Sequence, residues 1–165
     1  MSGYATEPWS DFAVAVVGAA AALTGLLFVA VSLNIERILA IATLTGRSGS
    51  TLTLFVIPLV VGVLVLVPDQ PPTALGIELI LAGAAAGAGL LWINRPANRG
   101  TVETRLSWLL LRFGTSVTIS AALVLAGATV LVGWGGGLYW IAPAVIVAFL
   151  GGLMTVWVLL VEIRR

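Results

Sequence analysis

The chain has 165 residues, 60% of them hydrophobic and 9% charged, with a formal net charge of +1 and a mean hydropathy of +1.14. A soluble domain carries about 25% charged residues, so this composition cannot clothe a water-facing surface and points to a membrane protein. Cysteine and histidine are both absent, which excludes disulfides, thiolate nucleophiles, haem and zinc sites built on those residues, and histidine acid–base catalysis; no cofactor is expected.

A helix needs about 20 apolar residues to cross the hydrocarbon. The first such run is Phe12 to Leu33. It follows Glu7 and Asp11 instead of a basic segment, and it is longer than a signal-peptide core, so it reads as a span and not as a cleaved leader. Gly18, Ala22, Gly25, Ser32 and Glu36 share one face of it at 100° per residue. Small residues let backbones approach in lipid, so this stripe predicts a packing seam, with a water-lined path as the alternative. Asn34 to Thr45 is expected to extend helix one along the inner surface, with Ile35, Ile38, Leu39 and Ala42 on one face.

The second run is Thr51 to Val67, with Pro58 at its middle and Pro68 at its close; the inner proline predicts a kink. The third is Ala74 to Ile93, opened by Pro71 and Pro72 with Thr73 as a candidate N-cap. It carries Glu78, which shares a face with Ala82, Ala85, Ala86 and Gly89 and is expected to point into the bundle, with Thr129 at similar depth as a hydrogen-bond partner. An intramembrane carboxylate is a candidate proton or cation site. The structural alternative places Glu78 in the first turns of the helix, near water and the positive helix end. Gly83 and Gly87 form a GxxxG on the opposite face, which puts this helix at the centre of the bundle or at an oligomer interface.

The connection Asn94 to Ser107 is the longest hydrophilic stretch and carries Arg95, Arg99 and Arg105. It reads either as a loop obeying the charge bias of membrane proteins or as a contact for a partner or anionic lipid. The fourth run, Trp108 to Val132, has the most polar stripe of the chain: Arg112, Thr115, Ser116 and Ser120, continued by Gly127. Two readings stand: interhelical hydrogen bonding with Arg112 snorkelling to the headgroups, or a vestibule for an anion or polar head. Glu36 and Arg112 are expected to pair across helices one and four. Glycines 133 and 135–137 form the turn to the fifth run, Leu138 to Ile163.

With five spans, all eight arginines fall on one side, and Glu7, Asp11 and Asp69 fall on the other. Positive charge stays inside. Tryptophans favour the two interfaces; Trp9, Trp134 and Trp140 fall at the outer level, and Trp92, Trp108 and Trp157 at the inner. The expectation is an all-α integral membrane bundle of five transmembrane helices, N-terminus outside and C-terminus inside. Residues 1–165 would form one domain with spans near 12–33, 51–67, 74–93, 108–132 and 138–163.

The stretch from Trp9 through Gly18, Gly25 and Phe28 to Asn34, with the later Gly-Gly-Gly-Leu-Tyr-Trp140 and Trp157-Val-Leu-Leu-Val-Glu162, resembles small multi-pass membrane proteins of actinobacterial type. The resemblance implies a bacterial cytoplasmic membrane and carries over no site residue.

Two functions fit. The leading one is a non-catalytic membrane protein acting by assembly, as a homo-oligomer or an accessory subunit, since small-residue faces are present and no reactive constellation is. The other is a small ion channel or proton-linked permease using Glu78 and the Arg112, Ser116, Ser120 face. An enzyme is disfavoured, because Glu36 and Glu78 fall on opposite sides of the bilayer and cannot act as a pair. The expected partners are lipid and the chain itself or other membrane subunits, and no nucleic acid.

Overall fold

A computed structural model describes residues 3–94 and 109–163. The loop arginines 95, 99 and 105, Trp108, and Arg164 and Arg165 lie outside the described residues. After a short 3-10 turn at Glu7–Trp9 come α1 (Ser10–Leu33), α2 (Ile35–Ala40), α3 (Ala42–Val65) and α4 (Pro72–Ile93). A π-helical turn at Leu109–Gly114 leads into α5 (Thr115–Val132), and a 3-10 turn at Gly137–Trp140 leads into α6 (Ile141–Ile163). Five of these, α1, α3, α4, α5 and α6, include stretches long and apolar enough to cross a membrane, one for each run marked in the sequence.

The boundaries correct the sequence reading in three places. The segment after helix one does not continue it. The chain breaks at Asn34, runs through α2 and turns at Ile41, whose backbone is extended. Asn34 Nδ2 donates to Ala30 O at 2.9 Å, and Thr45 Oγ1 reaches back to Ile38 O at 2.8 Å, so the corner is pinned from both sides. Ile38 is buried there against Leu44 and Val31. Second, α3 begins at Ala42 and not at Thr51. The run Gly46-Arg-Ser-Gly-Ser50 looks like a loop by composition, yet its hydroxyls are satisfied inside the helix: Ser48 Oγ donates to Leu44 O and Thr51 Oγ1 to Arg47 O. Third, α4 takes Pro72 as its first residue with Pro71 at the N-cap, which leaves Thr73 inside the helix. Proline fits a first turn because the missing N–H has no intrahelical partner there.

Helices α3, α4, α5 and α6 close into a ring in which each packs on the next and α6 returns to α3, while α1 lies outside the ring against α3. Leu54, Val61, Leu79, Ile119, Leu123 and Ala148 fill the centre. The tightest pair is α4 with α5. A Cβ at Gly127 would come within 2.4 Å of Gly76 O, and one at Gly87 within 2.5 Å of Ser120 Oγ. Apolar burial gives no drive between helices in lipid, so such backbone approach and the bonds it allows hold the pair instead. Ser120 Oγ donates to Gly83 O at 2.8 Å across the seam. The outside is apolar, with Leu26, Phe28, Leu81, Leu150 and Met154 all exposed, as suits contact with acyl chains.

The two ends of the bundle differ. At one, Leu138 N donates to Gly3 O at 2.7 Å, Gly136 N to the Tyr4 hydroxyl at 3.2 Å, and the Trp9 ring stands edge-on to Tyr139 with centroids 5.0 Å apart. This clasp needs glycine at 137, where φ is +58° and the Gly3 carbonyl sits where a Cβ would be. The α3–α4 turn is at the same end, with Asp69 at φ +52°. At the other end the start of α3, the end of α4, the start of α5 and the end of α6 meet around Arg47 and Arg112. We call these the acidic and the basic end.

Candidate functional site

At the basic end the four ring helices leave a small crevice lined by Arg47, Ser50 and Leu54 of α3, Leu90 of α4 and Asn94 after it, Arg112 before α5, Thr115 and Ser116 of α5, and Thr155 of α6. Arg47, Ser50, Asn94 and Ser116 are all buried. Ser116 Oγ donates to Arg112 O and Thr155 Oγ1 to Gly151 O. Asn94 Oδ1 is buried without a hydrogen-bond partner. With about 10 Å³ of open space the crevice has room for about one water at most, so these side chains form a packed polar cluster between the helices.

Sequence reasoning found Arg112, Thr115 and Ser116, which the structure brings together here. Ser120, one turn further along, faces α4 and is used in packing. Arg47, Ser50 and Asn94 were missed. The signal was available: once α3 starts at Ala42, Arg47, Ser50, Thr51 and Leu54 fall on one face, and Asn94 follows the buried Leu90 by four residues. Glu36 stands elsewhere, exposed on α2, in a groove lined by Ser32–Arg37. The structure does not bring Glu36 and Arg112 together as the sequence reading expects: Glu36 lies in that groove and Arg112 in the crevice between the ring helices.

At the acidic end Glu78 is half-buried on the second turn of α4. Its Oε2 accepts a hydrogen bond from Gln70 Nε2, contributed by the α3–α4 turn. Thr129, the partner expected from depth, bonds its own helix instead, at Leu125 O and Ala126 O. Gln70 was missed because a single amide in a turn carries no periodic signal. Its Oε1 is buried and has no partner. Between the two ends the bundle axis is filled by Phe55, Leu79, Ile119 and Leu123, so apolar packing separates Glu78 from the arginine crevice.

The third feature is the outer face of α1. Ala13, Val16, Ala20 and Leu27 form its buried side, and Gly62 of α3 receives Val17. Gly18, Ala22, Gly25 and Ser32 point the opposite way and are exposed; a Cβ at Gly18 or Gly25 would meet nothing within 4 Å. Gly83 and Gly87, by contrast, are buried against α5. Their motif is absorbed inside the chain.

Among the described residues no three His, Cys, Asp or Glu side chains gather where a metal ion could be held. The fold and its sites define a multi-pass α-helical membrane bundle without a catalytic constellation among the described residues. No protein-family model, no curated protein and no solved structure matches the chain, so what is shown is a multi-pass α-helical membrane protein and no actinobacterial family.

Proposed function

We propose that the protein is a non-catalytic component of a bacterial cytoplasmic membrane that works by assembly, as a homo-oligomer or an accessory subunit, and that α1 is the helix through which it assembles. One observation carries this reading: the small-residue stripe of α1 at Gly18, Ala22, Gly25 and Ser32 is exposed, and among the described residues nothing lies within 4 Å of a Cβ at Gly18 or Gly25. Small-xxx-small faces are where membrane helices associate, because they let a second backbone come close. The peripheral position of α1 leaves the ring undisturbed when a partner docks.

The chain has no native cysteine, so Gly25→Cys introduced alone reports contact at that face. It is expected to cross-link in native membranes, to a second copy or to another subunit as the mass of the adduct tells, and Gly18→Leu is expected to weaken the link about tenfold. A Gly25→Cys protein that stays monomeric and unlinked in its own membrane would remove the reading. The alternative, a channel or proton-linked permease, is supported by the half-buried Glu78. It requires proton or cation flux in liposomes that Glu78→Gln abolishes.

A further inference from the structure

We propose that the cleft between α3 and α4 is a binding site for a membrane lipid with a primary ammonium head, one acyl chain lying in the cleft and the ammonium held by Glu78. A groove of about 330 Å³ separates the two helices, lined by Leu52, Val56 and Val60 on α3 and Ala82, Ala85 and Ala86 on α4. Thr53, its one hydroxyl-bearing wall residue, is already bonded to Gly49 O. The lining on α3 extends from Leu52 to Val61, about 14 Å of helix at ~1.5 Å per residue. That is close to one leaflet of a hydrocarbon core about 30 Å thick.

The groove is long and its walls are apolar along that length, which matches a single acyl chain lying against the two helices. The groove is open sideways, since Leu52, Val56, Val60 and Ala85 are exposed, so a lipid enters from the bilayer without the bundle opening.

The head is selected at the acidic end. Glu78 lies on the same face of α4 as Ala82, Ala85 and Ala86, one turn beyond the groove. Its carboxylate is joined to Gln70, whose Oε1 is a buried acceptor lacking a donor. A carboxylate one turn beyond an apolar groove calls for a head that brings positive charge and N–H groups. The charges near that end among the described residues are Glu7, Asp11, Asp69 and Glu78, with no arginine. A primary ammonium supplies both positive charge and donors. A quaternary ammonium supplies the positive charge alone, and a phosphoglycerol head is anionic and supplies neither positive charge nor N–H.

The test uses the full-length protein in detergent, titrated with dioleoyl phosphatidylethanolamine, phosphatidylcholine or phosphatidylglycerol, with bound lipid counted by native mass spectrometry. Phosphatidylethanolamine is expected to be retained about tenfold more tightly than phosphatidylcholine. Glu78→Gln should erase that preference while leaving tail-driven binding. Ala85→Leu, a change on an exposed position outside the ring core, should block the groove for all three lipids with helicity and thermal midpoint unchanged. Equal retention of the ethanolamine and choline lipids by the native chain would overturn the proposal. So would a preference that survives Glu78→Gln, or cross-linking of Ala85→Cys to a second copy in place of shielding by lipid.

Discussion

A methyl group added at Gly127 would collide with the Gly76 carbonyl, whereas one added at Gly25 would meet open space. The same substitution therefore has opposite expected signs. Gly127→Ala must push α4 and α5 apart and should cost about 1–3 kcal/mol. Gly25→Ala should be neutral or stabilise the isolated chain by up to about 1 kcal/mol, because alanine is the better helix former. Reversible unfolding in mixed micelles, at a dilution where the chain is monomeric, measures both. Ser120→Ala removes one bond across the same seam, and an average interhelical hydrogen bond of this kind is worth about 0.6 kcal/mol. The sequence displayed Gly83 and Gly87 as a motif and Gly18, Ala22 and Gly25 as a stripe, and both lie on single faces as periodicity requires. What periodicity could not supply was the neighbour. The first pair meets α5, and the second set stays exposed among the described residues.

The helices themselves were legible wherever apolar residues ran on. Boundaries went astray where polar residues remain helical. Between Gly46 and Thr51 the hydroxyls of Ser48 and Thr51 bond their own backbone four residues earlier, a device that composition does not reveal. The α2 corner was hidden for the converse reason: its sequence is helix-compatible throughout, and the corner is held by the Asn34 side chain on Ala30 O and by Thr45 Oγ1 on Ile38 O. Thr45→Val deletes the bond to Ile38 O. The expected outcome is faster amide hydrogen exchange across residues 38–45, by about fivefold for a bond worth ~1 kcal/mol, with exchange in α5 unchanged. Equal exchange in the two proteins would mean that the corner is held by Ile38 and Leu44 alone.

For the molecule as a whole, charge and aromatic placement set out five crossings, and the structure has five helices that meet the requirement. The ring of four with α1 outside was not legible, since in lipid the choice of neighbours follows from how closely particular backbones approach. Orientation rests on the arginines. If the basic end faces the cytosol, a C-terminal reporter is active only in the cytosolic compartment, and a single cysteine placed at exposed Trp134 in the acidic-end loop is labelled from the opposite side by a membrane-impermeant maleimide. Reversed accessibility of the two would invert the proposed orientation and move the lipid head site to the cytosolic leaflet.

The clasp joins Tyr4 to Gly136 across 132 residues of chain. During biosynthesis the ribosome delivers its first half before α1 and its second half only after α5. The amino-terminal strap must therefore wait, unlatched, until the final hairpin emerges. Its closure needs only the turn before α6, so a chain halted short of Gly136 leaves the Tyr4 hydroxyl without that amide.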